Sequence, residues 1–177
     1  VVTVDDAVVV RGVGFASRID DAITFVNRSA FSIVPVNTGA AGRTGVDLGG
    51  TYSPLRGLAV DVTASLLSSS LAVTQAPLPQ APPFLLRTVA RVGDAASVGG
   101  AGLDVVVTSR GASSSNLFGT LIAPGFTLLD LVGRYPLSSA VQLKATLQNV
   151  LDVQDARDTN LLPLPGRLMF VGIEVKT

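Results

Sequence analysis

The side chains able to do chemistry in this sequence are few and scattered. Asp152, Asp155 and Asp158 recur every three residues near the C-terminal end. Carboxylates in such a run could ligate calcium, but the spacing is not that of an EF-hand loop, and a solvated acidic loop is the favoured reading. Arg87 and Arg91 stand four apart, which in a strand puts both on one face. There they could attract an anionic ligand, although pairing with Asp or Glu on neighbouring strands is favoured. "GVGFAS" at 12–17 approaches a dinucleotide loop, yet it lies inside a strand-like run with no helix after it. "GAAGRTG" at 39–45 lacks the Gly-Lys-Ser/Thr of a phosphate loop.

The residues that are missing narrow the chemistry further. There is no His and no Cys. Zinc sites built on those residues, His-based triads, thiolate nucleophiles and disulfides are therefore excluded. No G-x-S-x-G motif occurs either. No catalytic residue, cofactor or metal is expected. Lys plus Arg and Asp plus Glu each number 13, and the arginines form no basic stripe, so nucleic acid is not an expected partner. Asp5–Asp6 and Asp20–Asp21 read as turn or loop residues.

The elements that carry these residues must be strands. The chain has 177 residues, is 47% hydrophobic and only 15% charged, against about 25% charged in ordinary soluble domains. Its apolar residues are mostly Val, Leu and Ala, with abundant Gly and Ser, while the helix formers Glu and Lys are nearly absent. Leu58, Val60, Val62, Ala64 and Leu66 alternate with Ala59, Asp61, Thr63 and Ser65. The same period of two recurs at Val141 to Gln148 and at Met169 to Val175, and less cleanly near 8–26, 31–53, 84–93, 102–110 and 125–136. About eight antiparallel strands are predicted, with no helix.

Connection lengths alternate as well. "SPLRG" at 53–57, "GDAASVG" at 93–99 and "PLSSA" at 136–140 are short, whereas 68–83, 111–125 and 152–166 are long and rich in Ser, Pro and Gly. Short turns at one end and long loops at the other predict an up-and-down transmembrane β-barrel. The longest uncharged run, between Asp61 and Arg87, is broken by Pro77, Pro79, Pro82 and Pro83, so a membrane helix is excluded. In this register Leu58, Val60, Val62, Leu66, Val141, Leu143 and Leu147 face lipid. Asp61, Thr63, Arg87, Arg91, Asp130, Lys144, Gln148 and Glu174 face the lumen, because Arg or Lys at the lipid midplane costs about 2–4 kcal/mol. Arg11 resists this scheme, sharing parity with Val13 and Phe15, and an interfacial position or a bulge is expected there.

Several stretches resemble the C-terminal barrel of TonB-dependent outer-membrane receptors. "GFTLLDLVGRYPLSSAVQLKATLQNVLD" (125–152) and "PLPGRLMFVGIEV" (163–175) are similar to that family's last strands through Gly125, Asp130, Asn149, Leu151, Asp152, Pro165, Gly166 and Arg167. "VNTGAAGRTGVDLGGTYSPLRGLAVDVTASL" (36–66) resembles an upstream hairpin of the family through Asn37, Gly39, Gly45, Val46, Asp47, Tyr52, Pro54, Gly57 and Leu58. "GFASRIDDAITF" (14–25) and "PLPQAPPFLLR" (77–87) fit two further segments, in the family's order.

This resemblance implies that residues 1–177 are the C-terminal part of such a receptor barrel, without its plug domain. Family barrels have about 22 strands around a plugged lumen, so the final run would close the barrel at the periplasmic rim. The implied function is TonB-energised uptake of a bulky nutrient, a ferric siderophore or cobalamin, through the outer membrane of a Gram-negative bacterium. Implied partners are outer-membrane lipid, that ligand, and TonB acting through the missing N-terminal part. The motif residues are expected to act structurally: Pro165 and Gly166 turn the chain into the last strand, and Asn149 and Asp152 bond nearby backbone. Two other readings fit the alternation, a small closed eight-stranded barrel with a structural role and a secreted β-sandwich adhesion module.

Overall fold

A computed structural model describes residues 2–4, 7–29, 32–93 and 100–175. It is all-β, with no helix among the described residues. The strands are β1 (Val2–Val4), β2 (Val8–Ile19), β3 (Ile23–Ser29), β4 (Ser32–Asn37), β5 (Ala41–Leu55), β6 (Leu58–Leu71), β7 (Phe84–Gly93), β8 (Gly102–Arg110), β9 (Ser113–Ser114), β10 (Ile122–Ala123), β11 (Phe126–Pro136), β12 (Val141–Gln148) and β13 (Leu168–Val175). Nine of them form one antiparallel sheet in the order β1-β2-β5-β6-β7-β8-β11-β12-β13. Apart from three-residue β1, these are the eight or so strands that the alternation predicts.

Every strand of this sheet pairs with the next sheet strand in sequence, the up-and-down arrangement. Among the described residues β1 pairs only with β2 and β13 only with β12, so the sheet is an unclosed part of a barrel. The closed eight-stranded barrel and the two-sheet sandwich do not form. β7, β8 and β11 have 10, 9 and 11 residues, the length that spans a bilayer at a tilt. β5 and β6, with 15 and 14, extend further.

Three details depart from the sequence reading. The run at 8–26 breaks at Asp20–Asp21, where Asp21 takes φ 56°. The chain then makes a separate two-stranded hairpin of β3 and β4 before β5 begins at Ala41. The excursion is closed at its base by Ala22, which donates its N–H to the Gly39 carbonyl and accepts from the Thr38 N–H and hydroxyl. At the opposite end, β5 runs on through Ser53 and Pro54 to Leu55, past an irregularity between Tyr52 and Leu55. Pro54 is tolerated in a strand at such a break in the ladder, and the turn shrinks to Arg56 and Gly57, the latter at φ 81°. β6 also persists to Leu71, so the following loop starts at Ala72 rather than Ser68. Asp5, Asp6 and most of the 93–99 turn lie outside the described residues.

The long connections 20–40, 72–83, 111–125 and 149–167 all leave one end of the sheet, and the short turns leave the other. The loops pack on one another there. Ala41, Leu71 and Leu117 form a small buried cluster, joined by Ala22 and Leu78.

Candidate functional site

Directly paired residues of an antiparallel ladder point to the same side of the sheet, so the register assigns faces. Asp61 lies across from Thr51 and Val89, Val89 from Val106, Val106 from Asp130, and Asp130's side continues through Lys144 and Gln148 to Phe170, Gly172 and Glu174. One face consequently carries Arg11, Arg43, Asp47, Asp61, Arg87, Arg91, Asp104, Arg110, Asp130, Arg134, Lys144 and Glu174. The other carries Val10, Val46, Leu48, Val60, Val62, Leu66, Leu86, Val105, Leu129, Leu143, Met169, Val171 and Ile173. Its charged residue is Arg18, at the loop end of β2, where it pairs with Asp20 at 2.9 Å.

Arg11 falls on the charged face with Val13 and Phe15. The β2–β5 register runs unbroken from Val8 to Ile19, so neither a bulge nor an interfacial position is needed. What misled the reading is that β2 turns Gly12, Gly14 and Ala16, rather than large apolar residues, to the opposite side. Two glycines of β5 receive the bulky side chains of β2. A Cβ on Gly45 would come within 2.5 Å of the Phe15 ring, and one on Gly49 would collide with the Arg11 side chain.

The polar groups of the charged face are bonded in short cross-strand sets. Arg91 pairs with Asp61, which also accepts a 2.7 Å hydrogen bond from the Thr51 hydroxyl. Arg134 donates to Asp104 at 2.9 Å. The Ser65 hydroxyl donates to Asp47, and Arg43 Nε donates to the Ser17 hydroxyl at 3.0 Å. Arg87, Lys144 and Glu174 make no ion pair among the described residues. Asp104, Arg110 and Arg134 share the parity of Asp130 through the ladder, yet sequence reasoning missed them. Alternation within 102–110 puts Asp104 and Arg110 on one side and could have found both.

Arg110 is the deepest cation of this face at 7% exposure. It stacks 4.7 Å over the Phe126 ring and donates to the carbonyls of Pro124 and Arg157 at 3.2 and 2.7 Å. It thereby ties β8 to two of the long loops. The loops also bond one another: Gln80 Nε2 to Asn160 at 2.6 Å, the Ser115 hydroxyl to the Thr159 carbonyl at 2.8 Å, and the Gln80 N–H to the Ser114 carbonyl at 2.7 Å.

At the base of the last loop, Asn149 at φ 50° accepts from the Val153 N–H and donates to the carbonyls of Val153 and Pro165, while its own N–H donates to Asp130. Asp152, at φ 54°, accepts from the Arg167 N–H at 3.1 Å, and a Cβ on Gly166 would sit 3.3 Å from its carboxylate. Asn37 plays a similar part before β5, bonding Asp21 and the N–H of Gly39, which takes φ 72°. Asp152, Asp155 and Asp158 do not converge. Asp158 instead accepts from the N–H groups of Asn160 and Leu162, and no group of three metal-ligating residues forms among the described residues.

Residues 5–150 match the family described as TonB dependent receptor-like, beta-barrel. No curated protein sequence matches the chain. Among solved structures, the copper transporter OprC is 20% identical, with 96% of this chain and 30% of that chain covered at a TM-score of 0.80. The ferric yersiniabactin uptake receptor FyuA from Yersinia pestis is 14% identical, with 96% and 28% covered at 0.78. The ferric enterobactin receptor PfeA from Pseudomonas aeruginosa is 17% identical, with 96% and 29% covered at 0.75. The chain spans about 30% of the length of the first of these.

Proposed function

This chain belongs to the TonB dependent receptor-like β-barrel family, and we propose that it forms wall, lumen lining and outer loops of a Gram-negative outer-membrane receptor. The receptor imports a scarce, bulky nutrient such as a ferric siderophore or cobalamin, using energy relayed by TonB through parts of the protein outside residues 1–177. The observation that carries this reading is the segregation of charge across one sheet. Asp61, Arg87, Arg91, Asp130, Lys144 and Glu174 share a face opposite Val62, Leu129, Leu143 and Ile173. Lipid tolerates the second face and water the first, so the charged residues line the lumen.

The other parts take their roles from position. The interlocked loops 72–83, 111–125 and 149–167 supply the outer, ligand-capturing surface, and the short turns lie at the periplasmic rim. Of the motif residues, Asn37, Gly39, Pro54, Asn149, Asp152, Pro165, Gly166 and Arg167 shape strand ends and loop bases, Gly45 and Asp47 fit β5 to its neighbours, and Asp130 in β11 accepts from the Asn149 N–H. The work is capture and passage, which needs no covalent catalysis. The solved relatives are named for copper, ferric yersiniabactin and ferric enterobactin, so one wall architecture carries chemically different cargo.

The test is deletion of the full-length gene followed by uptake assays across ferric siderophores, copper and cobalamin. Loss of uptake of at least one, matched by loss of TonB, is expected; unchanged uptake of all of them rejects the reading.

A further inference from the structure

Arg110 ends β8 where two of the long loops begin. Resting on the receptor reading above, we infer that Arg110 is a positioning residue for cargo capture. From inside the wall it fastens 111–125 and 149–167 to each other, with 72–83 keyed to both. The three loops then meet cargo as one preformed surface instead of folding over it separately.

Each loop is first folded on itself. In 111–125, Ser113 and Ser114 pair with Ala123 and Ile122 as the short ladder of β9 and β10, and Asn116 Oδ1 accepts from the Thr120 and Leu121 N–H groups at 3.0 and 3.2 Å across the tip. In 149–167, Arg157 bridges Pro163, and the Leu164 N–H donates to the carbonyl of Ala156, which is 1% exposed. At the start of 72–83, the Leu71 N–H donates to the Ala76 carbonyl and the Gln75 N–H to the Leu71 carbonyl. Backbone groups bonded in this way need no cargo to satisfy them.

Arg110 joins the folded loops at their base. It lies across the ladder from Leu85 and Phe126, its guanidinium rests on the Phe126 ring, and its Nη2 donates to Pro124 at the end of one loop and to Arg157 inside the other. The neck of the first loop closes around it. The Gly111 N–H donates to the Phe84 carbonyl at 3.0 Å, and a Cβ on Gly125 would come within 2.7 Å of the Arg110 carbonyl. At 7% exposure the arginine is enclosed by residues of this chain, so its bonds do not depend on what fills the lumen. A guanidinium suits the place because it can lie on a ring and donate to two carbonyls at once.

Nearer the tips the third loop is keyed in. Gln80 bonds both Ser114 and Asn160, and the Thr74 hydroxyl donates to the Leu117 carbonyl at 3.3 Å. Leu117 continues the attachment into the buried cluster with Leu71 and Ala41. Loops that order only on binding lose conformational entropy at that step, whereas loops already held in place do not. Removing the pin lowers the fraction of receptor whose loops are in place, and the apparent affinity falls by that fraction.

The experiment is hydrogen exchange, read by mass spectrometry, on the purified full-length receptor, together with uptake by cells carrying equal amounts of folded protein. In Arg110→Met, amides of 113–123 and 156–164 are expected to exchange about tenfold faster or more, together, while β8 and β11 stay protected. Arg110→Lys should show part of the effect. For whichever of the ferric siderophores, copper and cobalamin the gene imports, Arg110→Met should raise the half-saturating concentration about fivefold or more and leave the maximal rate within about twofold. A lower maximal rate at an unchanged half-saturating concentration reports loss of folded receptor only and overturns the capture role. Release of one loop without the other overturns the block. Should Arg110→Met not fold, Gln80→Cys with Asn160→Cys, joined by a short bis-maleimide, decides the matter, each single variant serving as control. A fixed block forms the link and imports as well linked as unlinked; no link, or import lost on linking, overturns it. Import beside separate release of the loops rejects the positioning role alone. Joint release beside import of none of the panel rejects the receptor reading, and with it the role in capture.

Discussion

Asn149 and Pro165 are joined by a 3.2 Å hydrogen bond from the Asn149 amide to the Pro165 carbonyl, which draws together the two ends of the loop between β12 and β13. Asn149 is 3% exposed, and its side chain also bonds Val153 through both its oxygen and its nitrogen. Asn149→Ala removes all three bonds and puts Ala at a positive φ that Asn tolerates better. The expected cost is about 2–4 kcal/mol. It is read as a shift in urea-driven unfolding of the full-length protein, with earlier proteolysis inside 150–166.

The two ion pairs of the charged face should differ in worth. Arg91 and Asp61 keep 46% and 27% side-chain exposure, so Arg91→Met is expected to cost at most about 1 kcal/mol, diminishing with salt. Arg134 and Asp104 keep only 26% and 12%, and one Asp104 oxygen is buried with no hydrogen-bond partner among the described residues. Removing Arg134 strands that carboxylate in the wall. Arg134→Met should therefore cost about 2–3 kcal/mol, less than in a fully dry site because water reaches part of both side chains. Equal unfolding midpoints for the two variants would contradict this ranking.

Much of this was legible from period two alone. Alternation located β6, β7, β8, β11, β12 and β13 and put Asp61, Arg87, Arg91, Asp130, Lys144 and Glu174 on one side. The β3–β4 hairpin was not legible, since Ile23 to Ser29 and Ser32 to Asn37 have the composition of barrel strands. Only the turn residues Asp20–Asp21 and Asn37-Thr38-Gly39 mark where the chain leaves the sheet. Nor does one sequence reveal that Arg91 is paired with Asp61 while Arg87 makes no ion pair among the described residues. Asp61 of β6 lies opposite Val89, diagonal to both arginines, so its choice of Arg91 is made by side-chain geometry across the strands, which neither strand's pattern records.

Gly45 and Gly49 give a second contrast within one strand. An added Cβ at Gly45 meets the Leu66 carbonyl and the Phe15 ring at 2.5 Å, a backbone atom and a stiff ring. At Gly49 it meets the Arg11 side chain, which can swing away. Gly45→Ala is expected to destabilise by about 1–3 kcal/mol and Gly49→Ala by less than about 1 kcal/mol. Unfolding curves of the two variants beside wild type decide it.

The assignment of faces is tested by placing the same charge on either side of β6. Val62 is 37% exposed on the apolar face, whereas Ser65, three residues along, points to the charged face beside Asp47. Val62→Lys puts an ammonium against hydrocarbon and should cost about 2–4 kcal/mol, with lower yield of folded protein in the outer membrane. In Ser65→Lys the ammonium meets water and the Asp47 carboxylate, so the lost hydroxyl bond is offset and the change stays within about 1 kcal/mol. Comparing folded yield in membranes separates the faces because only the face turned to hydrocarbon penalises the ammonium there. A reversed order would mean that the charged residues face outward, and the lumen assignment would have to be abandoned.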